Sequence, residues 1–179
     1  MTADDLERLY LPGKKVELIR GVPVVEELPS SLHGLIANEL TYRLTAFVKG
    51  GGLGSVFAQD TGFKIWGNPD TVRGADVAFV ARERLTDVPR RGYLALAPDL
   101  VAEIVSPGDR PGEVLEKVAD WLDGGTRLVW VIDPARRHCQ IFRQDGTTAT
   151  LGPEETLDGE DVLPGFSLAL DTLLDAGSR

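Results

Sequence analysis

The sequence predicts an α/β (α+β) domain in which a mixed central β-sheet is flanked by helices, and three observations predict it. Residues 100–133 read as strand, helix, strand, with about twenty residues between the strands. That is the length of a crossover, which makes the two strands parallel and the connection right-handed. Leu32, Ile36, Leu40, Leu44 and Val48 recur every four residues and form one apolar helical stripe. The run at 75–80 needs no helix before the strand at 100–106, so these two can pair antiparallel and make the sheet mixed.

Each element follows from local chemistry. Thr2 with Asp5 forms a capping-box start, predicting a short helix through Leu9. Apolar runs at 16–19 and 22–25 around Arg20-Gly21 predict a hairpin. Ser30 or Ser31 caps the long helix, which runs to about Val48 and stops at Gly50-Gly51-Gly52. Strands are expected at 55–65, 75–80 and 100–106, a helix at 112–123 stopped by Gly124-Gly125, and strands at 127–133 and 139–144. The remainder, with Pro153, Gly159, Pro164 and Gly165, reads mostly as loop with a short element at 166–174. No repeat or interdomain linker breaks residues 1–179, so a single domain is expected.

Composition narrows the function. The 179 residues are 42% hydrophobic, enough for one sizeable core without a disulfide or metal staple. One cysteine (Cys139) and two histidines (His33, His138) exclude a disulfide framework and make a structural zinc site implausible. The beginning of the chain lacks the basic and apolar stretches of a signal peptide, and no apolar run reaches the ~20 residues of a membrane span. A cytoplasmic protein without membrane contact is expected. Net charge is −9, but its distribution is uneven. Residues 145–175 hold eight acids and no Lys or Arg, whereas residues 1–144 carry a net charge of only −2. Residues 73–91 are locally +2, with Arg73, Arg82, Arg84, Arg90 and Arg91. Cations near the phosphates decide nucleic-acid binding, so the acidic total weakens that reading without excluding it. These arginines could hold a nucleic-acid backbone or simply solubilise a loop.

Several residues break the pattern. Glu103 shares a strand face with Val101 and Val105, while Leu100, Ala102 and Ile104 occupy the other face. Such a strand is buried on both sides, where an ionised carboxylate must be paired, with an Arg at the sheet end for example, or bound to a metal. Asp76 reads either as a strand-entry residue after Gly74 or as a second acid brought beside Glu103 by antiparallel pairing. Two adjacent carboxylates need a cation between them, and oxygen-rich sites suit Mg²⁺ or Mn²⁺. Lys117 falls at the edge of the apolar stripe Val114, Leu115, Val118, Trp121 and Leu122, from which it can snorkel outward or reach the sheet face carrying Glu103. Glu17 interrupts an apolar hairpin strand, and His33 points inward beside Ile36, as a core histidine or a functional one. No Gly-x-Ser-x-Gly occurs, His138 and Cys139 face opposite ways on a strand, and the glycines at 50–54 fit no nucleotide-binding loop.

These residues fall in an order that resembles a known family. Glu17-Leu18-Ile19-x-Gly21, Pro29-Ser30-x-x-His33, Asp76-Val77, Pro98-Asp99-Leu100-Val101-x-Glu103-Ile104-x-Ser106-Pro107, Glu116-Lys117, Trp130-Val131-Ile132-Asp133-Pro134 and Leu163-Pro164-Gly165-Phe166 span nearly the whole chain. Together they resemble the putative restriction endonuclease (Uma-type) family of the PD-(D/E)XK nuclease superfamily. The resemblance implies a restriction-endonuclease-like core and a Mg²⁺- or Mn²⁺-dependent endonuclease acting on DNA, with a homodimer suited to cutting both strands. It implies Asp76 and Glu103 as metal ligands with the Ile104 carbonyl, Lys117 as the catalytic lysine, and Glu17 and His33 as accessory catalytic residues. The superfamily's lysine usually stands two residues after the Glu, where this chain has Val105; the family moves it to the following helix, at Lys117. An inactive nuclease-like binding module and a metal-dependent phosphoesterase acting on small nucleotides are the alternatives.

Overall fold

The computed structural model describes the chain except residues 10–13, 27, 86–87 and 178–179, and the side chain of residue 60. The elements are α1 (Ala3–Arg8), β1 (Lys15–Ile19), β2 (Val22–Glu26), α2 (Ser31–Gly51), β3 (Gly54–Trp66), β4 (Thr71–Ala81) and β5 (Leu100–Ile104). They continue with α3 (Pro111–Gly124), β6 (Leu128–Asp133), β7 (His138–Arg143), β8 (Thr148–Leu151), β9 (Thr156–Asp158), β10 (Ser167–Ala169) and α4 (Leu170–Leu174). An eight-stranded sheet runs β2-β1-β4-β5-β6-β7-β8, with β3 on β4, and β9 pairs β10 in a separate ribbon.

The mixed α/β sheet is as the sequence predicts. β4 and β5 pair antiparallel, β5 and β6 pair parallel, and α3 is the crossover between them. β1 and β2 form the expected hairpin, with Arg20 and Gly21 both at positive φ (48° and 78°), the backbone a two-residue turn requires. Thr2 and Asp5 make the full capping box of α1, and Ser30 accepts from the His33 backbone to cap α2. Gly52 and Gly125 end α2 and α3 in the left-handed region.

The two main cores among the described residues lie on opposite faces of the sheet, beside a small third cluster of Ala3, Leu6, Leu18 and Val72. α2, α4 and the β9–β10 ribbon cover one, with Ile36, Leu40, Leu44, Trp130 and Phe166 packed against Val77, Leu100 and Ile132. α3 covers the other, where Val118 and Trp121 meet Phe63, Val101, Val129 and Val131. The central strands β4, β5 and β6 are therefore apolar on both faces.

Four expectations are corrected. β4 starts at Thr71, so Asp76 stands mid-strand and is not a strand-entry residue. Arg73 before it is buried by ion pairing, which no local pattern reveals. The region after 144 is not mostly loop, because β8 extends the sheet and β9–β10 make a ribbon held over the core by Leu157 and Leu168. Leu32 is 40% exposed while His33 takes the inward place at the start of the α2 stripe. Among the described residues, no helix is long and apolar enough to cross a membrane.

Candidate active site

The site forms where the sheet divides. β3 occupies one edge of β4 along its length, so β1 and β5 share the other edge. β1 meets it at Val72 and β5 at residues 77–79, which leaves residues 73–76 facing the fork. Buried N–H groups at such a divide lose ladder partners and must be satisfied otherwise. Carboxylates do this here: Gly74 N donates to Glu17 Oε1 at 2.9 Å, and Ile104 N donates to Asp76 Oδ2 at 2.8 Å.

Charged side chains from β1, β4, β5 and α3 converge on this fork. Lys117 Nζ donates to Glu103 Oε2 at 2.8 Å and lies 3.4 Å from Glu17 Oε1. Arg73 bridges β1 to α3, donating to Glu17 Oε2 at 2.7 Å and from Nε to Asp120 Oδ2 at 2.9 Å. His33 Nε2 stands 3.3 Å from Asp76 Oδ1, and its Nδ1 is 3.3 Å from Ser106 Oγ. The other Glu103 oxygen accepts from Trp121 Nε1 at 2.7 Å. The partner of Glu103 is thus Lys117 together with an indole, while the nearby arginine serves Glu17.

The electrostatics separate the carboxylates. Burial alone would raise all three, but Lys117 and Arg73 hold Glu17 below its ordinary value. The His33 hydrogen bond and Lys117 likewise outweigh burial at Asp76. Burial pushes Glu103 up to about 7, and the charges of Asp76 and Glu17 add to it against the opposing pull of Lys117. Burial works against the Lys117 ammonium, yet Glu103, Glu17 and Asp76 prevail and keep it protonated. Four buried or half-buried acids (Glu17, Asp76, Glu103, Asp120) face two fixed cations, Arg73 and Lys117, leaving an excess of one negative charge with Glu103 protonated and two with it ionised.

That excess, carried on oxygen donors, fits one hard divalent cation. Among the described residues, no three His, Cys, Asp or Glu side chains form a ready-made ligand sphere. The fit is to a cation such as Mg²⁺, which takes one or two carboxylates and keeps several waters. Asp76, Glu103 and Ile104 all line an open cleft of about 710 Å³.

Around its mouth the cleft carries Lys15 and Arg110 against Glu26, Asp109, Glu113 and Glu116, with Val24, Val25 and Leu28 as an apolar wall. Of the five arginines of 73–91, only Arg73 reaches the cleft, and it is buried in ion pairs instead of facing solvent. Arg82, Arg84, Arg90 and Arg91 lie outside the cleft lining, and Arg84 is held by Asp99 at the far end of β5 from Glu103. The structure therefore brings Glu17, His33, Asp76, Glu103, Ile104 and Lys117 together and leaves those four arginines apart. Sequence reasoning missed Trp121, Asp120 and Ser106 as members of the network. Ser106 and Trp121 carried a faint signal: a hydroxyl three residues after Glu103, and an indole four residues after Lys117 on the helix.

No curated protein matches the chain. Among solved structures it is similar to a crystal structure described as a putative nuclease belonging to DUF820 from Anabaena variabilis. The TM-score is 0.84 at 22% identity, with 98% of each chain covered, a likeness of fold. A family model described as Uma2, putative restriction endonuclease, matches residues 3–171, and the chain belongs to that family.

Proposed function

We propose that this protein is a Mg²⁺- or Mn²⁺-dependent endonuclease hydrolysing phosphodiester bonds of DNA. The observation that carries the reading is the convergence of Asp76, Glu103 and Lys117 from β4, β5 and α3 on one cleft with unbalanced negative charge. Membership of a family described as restriction endonucleases supports DNA as the substrate. Asp76 and Glu103, with the Ile104 carbonyl, would hold the metal. When bound, the metal lowers the pKa of a water and polarises the phosphoryl oxygen. Lys117 is held protonated by its carboxylate neighbours, so it orients the attacking water or steadies charge developing on the phosphate, a contribution on the order of 10²–10⁴ in rate. Glu17 holds Lys117 and Arg73 in place, and His33 orients Asp76.

Plasmid nicking in Mg²⁺ tests this directly. Asp76→Ala, Glu103→Ala and Lys117→Ala should each lose on the order of 10²-fold or more. Unchanged nicking by all three would overturn the assignment. Calorimetry with Mn²⁺ should show binding by wild type and none by Glu103→Ala; a wild type that binds no Mn²⁺ points to a metal-free binding module. The acidic mouth of the cleft favours a second reading, a phosphoesterase for small nucleotides, which predicts turnover of a model diester without duplex binding. A two-fold pair would present one site to each strand of a duplex, and light scattering distinguishes that dimer from a monomer.

A further inference from the structure

We propose that Trp121 is a positioning residue that fixes the Glu103 carboxylate, selecting which of its oxygens faces the cleft. The inference rests on the nuclease reading only for its consequence in metal binding. Lys117 and Trp121 stand four residues apart on one face of α3, and each donates to a different oxygen of Glu103: Nζ to Oε2 at 2.8 Å and Nε1 to Oε1 at 2.7 Å. Lys117 lines the cleft and Trp121 does not, so Oε1 is drawn into the core and Oε2 is left on the open side.

Packing accounts for the ring of Trp121 but not for its N–H. Trp121 is fully buried and meets Phe63 edge-on at 6.2 Å, a contact that a phenyl ring also makes. What only the indole adds is an N–H aimed at a buried carboxylate. Terminal carboxylate torsions are broad, and a lysine tip on a flexible four-carbon stem constrains them weakly. An indole with two side-chain torsions, locked by its surroundings, does so strongly. Without it, Oε1 is buried without that partner and the carboxylate turns to find another, taking Oε2 off Lys117 and away from the cleft.

Trp121→Phe, which keeps a ring and removes the donor, should bind Mn²⁺ about tenfold more weakly by calorimetry, and nicking should lose kcat with KM nearly unchanged. A folded Trp121→Phe with wild-type Mn²⁺ affinity would refute the proposal. Should that variant fail to fold, the Trp121 indole N–H resonance of otherwise intact protein gives the answer. It should lie downfield and move upfield in Glu103→Gln, where the acceptor is no longer charged; an unmoved resonance overturns the proposal. A wild type that binds no Mn²⁺ while this resonance still responds to Glu103→Gln overturns the nuclease reading and leaves the hold on Glu103 standing.

Discussion

Lys117→Met isolates the electrostatic problem at the fork, because Glu103 is the acid that depends on it most. Glu17 keeps Arg73 and the Gly74 N–H when the ammonium is removed, and Asp76 keeps His33 and the Ile104 N–H. Among the described residues, Glu103 retains only the Trp121 N–H. Truncating one partner of a buried pair costs about 3–5 kcal/mol, and the Lys117 side chain is 17% exposed, which favours the lower end, about 3 kcal/mol. For a chain of this size that is a fall in Tm of roughly 6–12 °C. The loss must depend on pH. Glu103 is pushed up to about 7 from an ordinary 4.5, so its contribution to stability is fullest below 4.5 and fades as pH rises through 7. At pH 5 the group is protonated in both proteins, and the methionine variant forfeits little more than one hydrogen bond, about 1 kcal/mol. At pH 8 wild type pairs an ionised Glu103 with the ammonium, whereas the variant, without the downward pull of Lys117, must hold the buried carboxyl protonated against the solution pH. Urea unfolding with a chelator present, at pH 5 and pH 8, should therefore show a gap between wild type and variant that widens with pH by about 1.4 kcal/mol. An equal gap at both values, or none at pH 8, would refute the reasoning.

Three further outcomes follow from the same contacts. Duplex binding should depend weakly on salt, because Lys15 and Arg110 are the cations at the cleft mouth: log K against log salt should slope no more steeply than about −2, and a slope near −6 by fluorescence anisotropy would place the duplex on another surface. Arg73→Lys should destabilise by about 2–3 kcal/mol in urea unfolding, since a single ammonium cannot serve Glu17 and Asp120 together; wild-type stability would remove the brace from the account. Burial pushes the Cys139 thiol up to about 12, so native protein should resist a disulfide reagent at pH 8 and react only on unfolding.

How far the sequence disclosed this arrangement depended on whether each cause was local. The hairpin at Arg20-Gly21, the Thr2 and Ser30 caps and the crossover through α3 are written in neighbouring residues, and all appear where expected. Antiparallel pairing of β4 and β5 was open because no helix is needed between them, and it brings Asp76 onto the N–H of Ile104, next to Glu103 in the chain. Arg73 was illegible because an arginine beside Gly74 has the same signature in a loop as in a buried strand. Its burial depends on Glu17, 56 residues away, and on Asp120, 47 residues away. β8 to β10 hid behind turn residues and short alternation, and their place is fixed by Leu157 and Leu168 meeting a core built from the rest of the chain. Leu32 kept the helical spacing yet faces solvent, because the stripe of α2 begins one residue later at a polar side chain, His33.

The acids at the fork perform two tasks, and this bears on how any variant is interpreted. Glu17 and Asp76 accept from backbone N–H groups that the divided sheet leaves without ladder partners, so an alanine at either position exposes a buried donor as well as removing a charge. Glu103 accepts only from side chains, Lys117 and Trp121, among the hydrogen bonds the structure records for it. Lost activity in Asp76→Ala therefore mixes fold and chemistry, whereas Asp76→Asn keeps an acceptor for Ile104 and removes only the charge. A sheet that needed no more than caps at its fork could use neutral acceptors. Three carboxylates there, with Glu103 held so uneasily that its pKa approaches 7, cost stability that neutral groups would spare. That charge, with Asp76 and Glu103 placed on a cleft and not sealed in the core, is the physical ground for proposing that the fork serves chemistry.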